Sequence, residues 1–143
     1  MEFILVRHVE TTGNYENKFV GITEVEYTER GKEQFVQLTD ALKEYKVDQI
    51  YSSPISRALK IAKKVGEDTL TDVKVISELS EMNFGIFEGY HFQDILKEYK
   101  EHWDDWQKDY LNYHIPKGDS LQSFHNKVIS FINTIKEEEG SCM

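Results

Sequence analysis

The chain has 143 residues, one cysteine and a formal net charge of -9 at pH 7. This charge repels the phosphates of nucleic acids and the surfaces of anionic membranes, so we expect neither as a partner. The single cysteine, Cys142, cannot form a disulfide within the chain, no apolar run reaches the roughly 20 residues of a membrane span, and no basic segment followed by an apolar one opens the sequence. We therefore expect a cytoplasmic protein, and the length predicts one domain over residues 1–143.

The first predicted strand is the apolar run at residues 3–6, which leads directly into Arg7 and His8. An unbroken apolar run is typical of a strand that is covered on both faces of a parallel sheet. Ligands of open α/β sheets bind outside the carboxyl ends of the strands, so Arg7 and His8 stand where a site is expected. Residues 11–28 lack clear periodicity and are predicted to form a loop.

Helices and strands alternate through the rest of the chain. Thr28 has the side chain of an N-cap, and apolar residues recur after it at helical spacing, at Phe35, Leu38, Leu42 and Tyr45. The remaining predicted elements are a strand around 49–51, a helix from Pro54 to Gly66, a strand at 73–77, a loop with two glycines, a helix at 92–99, and a helix from 121 to 135 with a solvated end at 136–140. This order predicts an α/β fold with a mostly parallel sheet flanked by helices.

Three predicted strands are each followed by a residue suited to phosphate chemistry. Arg7 and Arg57 offer planar guanidinium forks for a phosphoryl group, and neutral His8 could attack phosphorus. Glu81 could protonate a leaving alkoxide. Taken singly, each residue is more often an ordinary surface or capping side chain, and only their recurrence at strand ends favours a site.

Several stretches resemble the histidine phosphatase superfamily, the phosphoglycerate mutase-like proteins. LVRHVETTGN is similar to the family signature LVRHGxTxxN, and IYSSPISRALKIA to S-S-P-x-x-R-A-x-x-T-A. FVGITEVEYTERGKEQ, ELSEMNFGIFEG and PKGDSLQSF match further family segments in the same order, although Tyr27 stands where leucine is usual. The resemblance covers nearly the whole chain and is nearest to small α-ribazole phosphatase-like proteins.

The resemblance implies roles for individual residues. His8 would become phosphohistidine, Arg7 and Arg57 would hold the phosphate, and Glu81 would donate the proton. The other positions implied to border the phosphate or substrate are Thr11, Asn14, Gly21 and Thr23. We therefore expect a phosphatase that acts on a small phosphorylated metabolite, such as α-ribazole phosphate, without a metal or other cofactor.

Two departures from the family pattern accompany these matches. Val9 replaces the glycine that usually follows the histidine, and a β-branched residue there restricts the backbone. The family also has a strand after the last helix, beside the strand of the first histidine, that ends in a second histidine within a V-S-H-G motif. Residues 1–143 contain no such motif, so we expect a shortened chain, of the kind that a frameshift or early stop produces, which lacks this strand.

The other histidines do not supply a substitute for this second histidine. None of them ends an apolar strand, and none has metal-ligand spacing, so we interpret all four as surface or cap residues: His91, His102, His114 and His125. A gap in the sheet would invite pairing with another chain, and we expect a homodimer.

Alternatives to the phosphatase hypothesis are an inactive phosphate-binding protein, a phosphoglycerate mutase-type phosphotransferase and a purely structural module. The aromatic residues of the segment before the last helix either cap the pocket or form core, and core is the more frequent outcome: Tyr90, Phe92, Trp103, Trp106, Tyr110 and Tyr113.

Overall fold

The computed structural model describes residues 2–137 and 140–143. Its strands are β1 (Glu2–Phe3), β2 (Ile50–Ser52), β3 (Val73–Val75) and β4 (Ser141–Cys142). Its helices are α1 (Thr12–Tyr15), α2 (Glu29–Leu42), α3 (Ser56–Thr69), α4 (Phe92–Glu98), α5 (Lys100–Lys108) and α6 (Leu121–Ile135). Two 3-10 turns, Ser77–Leu79 and Gly85–Phe87, lie between β3 and α4.

The strands pair only in parallel within the described residues. β1 pairs with β4, β2 pairs with β3, and a parallel bridge between Gln49 and Cys142 joins the two pairs. The backbone N–H of Met143 donates to the carbonyl of Gln49 at 3.1 Å. The strand order is therefore β1, β4, β2, β3, which confirms the predicted parallel α/β arrangement.

The position of β4 corrects the expectation that no strand follows the last helix. Its residues lie in the sheet directly beside β1, where the backbone N–H of Ile4 donates to the carbonyl of Cys142 at 2.8 Å. Part of the predicted helix end at 136–140 lies outside the described residues, because these omit 138–139.

The predicted burial of the first strand on both faces is wrong. The β1 ladder ends near Ile4, and Leu5 is 89% exposed. A cavity of about 510 Å³ runs between this segment and β2, and its apolar lining includes Val6, Ile61 and Phe131. One side of the run that leads to His8 is thus open.

Side-chain caps fix where the long helices begin. The Thr28 hydroxyl accepts from the N–H of Gly31 at 2.9 Å at the start of α2, as predicted. Ser120 caps α6 through the N–H of Ser123 at 3.1 Å. The predicted loop at 11–28 is wrong in one place, because Thr11 caps the single turn α1.

Two separate cores hold the helices. The first packs α2 and α3 against the sheet and is built on Val9, Leu42, Ile50, Ile61, Ala62 and Val65. The second surrounds Phe87, Ile95 and Ile115, and the rings of Trp103 and Trp106 lie 6.1 and 5.9 Å from the Phe87 ring.

Most of the aromatic residues of this segment therefore pack, partly buried, against the second core. Tyr90 and Tyr113 also pack against this second cluster, whereas Phe92 and Tyr110 stay largely exposed. Among the described helices, none has the length and apolar character needed to cross a membrane.

Candidate active site

His8 lies just beyond β1 with a half-buried imidazole whose tautomer is fixed by the backbone. Its Nδ1 lies 2.7 Å from the carbonyl oxygen of Val9. A carbonyl can only accept, so Nδ1 carries the proton and Nε2 is left with a lone pair when the ring is neutral. The side chain of Val9, which stands where the family has glycine, is buried in the first core. Its burial anchors the residue whose carbonyl orients His8.

The surroundings of His8 favour its neutral form. Burial is the largest cause and lowers the pKa of His8, and the guanidinium groups of Arg57 and Arg7 lower it further. The hydrogen bond to the Val9 carbonyl and the carboxylate of Glu81 act in the opposite direction, and the net pKa falls below its usual 6.5. The four charged or titratable groups predicted at the strand ends therefore share one electrostatic environment.

Arg57 is buried, with 4% of its surface exposed, in the first turn of α3. Its Nη2 donates to the carbonyl of Gly21 at 2.5 Å, and its Nη1 donates to the carbonyl of Thr23 at 3.2 Å. A guanidinium has five N–H donors, so these two bonds orient it and leave donors for an anion. The structure thus brings Gly21 and Thr23 to Arg57 through their backbone carbonyls.

Arg7 and Glu81 are exposed, and their charges shift the pKa of His8 in opposite directions. Glu81 accepts a hydrogen bond from the N–H of Met82 at 2.9 Å, which holds one carboxylate oxygen against the chain. Arg7 forms part of the lining of the cavity beside β1, together with His8.

Thr11 and Asn14 support each other at the start of α1. The backbone N–H and the hydroxyl of Thr11 donate to Oδ1 of Asn14 at 3.0 and 2.9 Å. This arrangement uses the amide oxygen of Asn14, and its Nδ2 donates to no group among the residues that the structure describes. Thr11 is fully buried, and its hydroxyl is used in this contact with Asn14.

Two carboxylates that the sequence reasoning assigned no role complete the neighbourhood of Arg57. Helix α3 has no side-chain cap of its own at Ile55, and Glu24 instead accepts from the N–H of Ser56 at 3.0 Å and from the Ser56 hydroxyl. The hydroxyl of Ser56 is the main cause that lowers the pKa of Glu24. The second carboxylate, Glu88, binds the amides of the loop at 21–23.

The other histidines take surface or cap positions, as predicted. His91 caps α4 by accepting from the N–H of Gln93 at 3.2 Å, and Nδ1 of His102 lies 2.8 Å from the Tyr113 hydroxyl. His114 and His125 are exposed. No group of three or more His, Cys, Asp or Glu side chains among residues 2–137 and 140–143 is arranged to hold a metal ion.

Known proteins are similar to this chain over nearly its whole length. A family model described as histidine phosphatase superfamily (branch 1) covers residues 3–142. The adenosylcobalamin/alpha-ribazole phosphatase of Escherichia coli strain K12 is 32% identical over 137 residues, which are 96% of this chain and 68% of that protein. Phosphoserine phosphatase 1 of Hydrogenobacter thermophilus is 28% identical over 137 residues, which are 96% of this chain and 65% of that protein.

A solved structure gives the same picture. The alpha-ribazole phosphatase from Shigella flexneri is 32% identical, with a TM-score of 0.89 over 99% of this chain and 71% of that one. The chain spans 65% of the length of its Hydrogenobacter relatives. The range that the family model matches contains all four strand-end residues, and the fold agrees with that of the solved relative. The chain therefore belongs to the histidine phosphatase superfamily, branch 1.

Proposed function

We propose that this chain carries the phosphoryl-transfer site of a metal-independent phosphatase that acts on a small phosphomonoester. The observation that supports this most directly is the imidazole of His8, whose Nδ1 is held by the Val9 carbonyl at 2.7 Å so that Nε2 is the nucleophilic atom. The buried guanidinium of Arg57 supports it as well, because a cation in a partly desolvated site stabilises a transferring phosphoryl group.

The proposed reaction has two steps. In the first, Nε2 of His8 forms a bond to phosphorus while the bond from phosphorus to the ester oxygen breaks, and Glu81 gives its proton to the leaving alkoxide. In the second, water attacks phosphorus and gives a proton to the Glu81 carboxylate, and the N–P bond breaks to release phosphate. Arg7 and Arg57 bind the phosphoryl oxygens throughout, and Nδ2 of Asn14 is a further donor to them.

The proposed substrates are phosphomonoesters of small alcohols. The names of two relatives indicate phosphoserine and α-ribazole phosphate as the first candidates. A reducing, cytoplasmic compartment belongs to the same proposal, since the single cysteine of residues 1–143, Cys142, cannot form a disulfide within them.

Hydrolysis of p-nitrophenyl phosphate without added metal tests the proposal. We expect turnover by the protein, loss of turnover in His8→Ala, and acid-labile phosphate on His8 after a brief reaction. His125→Ala is the matched control, because His125 is exposed and is not among the residues that line the cavity beside His8. Vanadate binding without turnover would favour a phosphate-binding protein, and transfer of the phosphoryl group to an alcohol acceptor would favour the phosphotransferase.

We also propose that two copies associate through the open side of the apolar run at residues 3–6. Leu5 is almost fully exposed beside the apolar cavity, and covering such a surface is favourable. Leu5→Asp should lower the weight-average mass in sedimentation equilibrium, whereas Leu70→Asp, at an equally exposed leucine outside the cavity, should not. A monomer at every concentration would contradict this proposal.

A further inference from the structure

Glu88 holds three consecutive backbone amides. The N–H groups of Gly21, Ile22 and Thr23 donate to its carboxylate at 3.0, 3.1 and 3.3 Å, and the Thr23 hydroxyl donates at 2.5 Å. Successive amides that converge on one anion form a concave anion-binding turn. Here the anion is a side chain of the protein itself, 65 to 67 positions away in the sequence.

The same loop presents its carbonyls to Arg57. The carbonyls of Gly21 and Thr23 accept from Nη2 and Nη1 of Arg57 at 2.5 and 3.2 Å. The three N–H groups of the loop therefore point to a carboxylate, and two of its C=O groups point to a guanidinium. The peptide group between Gly21 and Ile22 lies directly between the two charges, because its N–H donates to Glu88 and its C=O accepts from Arg57. The position of Glu88 therefore determines where this acceptor carbonyl stands, and through the same loop that of Thr23.

Glu88 also joins this loop to the segment that begins at Glu81. The N–H of Phe84 donates to the Glu88 carboxylate at 2.9 Å. Gly21 lies so close to this segment that a Cβ atom there would stand 1.8 Å from the carbonyl oxygen of Met82. One carboxylate thus fixes the relative position of the loop that orients Arg57 and the segment that carries Glu81.

We propose that Glu88 is a positioning residue that orients the Arg57 guanidinium for phosphoryl binding through the loop at 21–23. This inference rests on the proposed function, because that function makes a phosphoryl group the ligand of Arg57. The hydrogen bonds of Glu88 and Arg57 to the loop are independent of the reaction. Removing the carboxylate should release the three amides, let the Gly21 and Thr23 carbonyls turn away, and free the guanidinium.

The first test compares the parent protein with Glu88→Gln and Glu88→Ala, using Glu98→Gln as a matched control at an exposed acid of α4. We expect the Kd for orthovanadate to rise about 10-fold to 100-fold in both Glu88 variants, the range for loss of hydrogen bonds to a charged group. The control should keep the parent Kd.

Chemical rescue distinguishes positioning from a general loss of fold. Acetate should restore vanadate binding by Glu88→Ala, because truncation leaves space for a carboxylate against the three amides. It should not restore binding by Glu88→Gln, whose amide fills that space. Equal Kd values in parent and Glu88→Gln, or an Ala variant that folds but does not respond to acetate, would overturn the proposal.

A readout that needs no ligand separates this inference from the proposed function. In the parent, the Nη protons of Arg57 should show slow exchange with water in NMR spectra, because two carbonyls hold them. The slow signals should vanish in Glu88→Gln and return in Glu88→Ala with acetate. A parent that shows them without binding vanadate would count against the phosphatase proposal alone, whereas signals that persist in Glu88→Gln would overturn the role of Glu88.

Discussion

His8 has a protonation equilibrium that the surrounding residues set in a predictable direction. Because burial and the nearby guanidinium groups disfavour the imidazolium, the pKa of His8 lies below 6.5 in the folded protein. An NMR titration should show this, and Arg57→Gln should raise the pKa because it removes a positive charge. Glu81→Gln should lower it. A His8 pKa at or above 6.5 in the parent would contradict this account.

The same shift contributes to pH-dependent stability. Between the folded and unfolded pKa values of His8, the unfolded chain binds more protons, so the free energy of unfolding rises with pH there. The contribution is fully present above 6.5 and is lost as the pH falls through the lower, folded value. In His8→Asn this part of the pH dependence should be absent from urea unfolding curves measured across that window.

Sequence alone indicated the residues that carry distinctive chemistry, such as His8 and Arg57 at strand ends. It gave no indication of Glu88 or Glu24, because nothing distinguishes a supporting carboxylate in a chain with 26 acidic residues. Their partners are backbone amides of distant loops, and the direction of an amide depends on the folded backbone. Supporting groups of this kind become visible only with the structure.

Helix α3 ends in a strained residue that offers a simple stabilising change. Leu70 follows the helix with φ of 57° and is 93% exposed, so it adopts the left-handed conformation without burying its side chain. Leu70→Gly should raise the free energy of unfolding by about 0.5–1 kcal/mol, because glycine has no Cβ clash there. Chemical denaturation measures this, and a loss of stability relative to the parent, or an equal gain in Leu70→Ala, would refute the explanation.

The sequence predicted helices where α2, α3, α4 and α6 lie, but the residues at which helices and strands end depend on packing between distant parts of the chain. Gly66 was the predicted end of α3, yet the helix continues to Thr69. Gly66 allows the helix backbone to lie close to β3, since a Cβ atom at this position would lie 2.6 Å from Cγ2 of Val73. The burial of the apolar run at 3–6 was predicted wrongly for a similar reason, because the residues of a strand do not specify which elements cover its two faces.

The whole molecule should respond to an anion through mass action. Its net charge of -9 disfavours general anion binding, so stabilisation by orthovanadate would report a local cationic site. A ligand that binds only the folded state raises the free energy of unfolding by about 2.7 kcal/mol at 100 times its Kd. Thermal unfolding should show the increase with vanadate but not with chloride at equal ionic strength, and a chloride effect of the same size would contradict a specific site.

The parallel pairing of β1 with β4 also sets an order for folding during synthesis. Glu2 pairs with Ser141, so the strand that leads to His8 cannot join the sheet until the ribosome has released residue 141. β2, α3 and β3 are neighbours in sequence and can pack together much earlier, because short loops close at lower entropic cost. A nascent chain should therefore carry a folded β2–α3–β3 unit while His8 is still outside the sheet, so the proposed nucleophile enters its site only after the residues of β4 have left the ribosome.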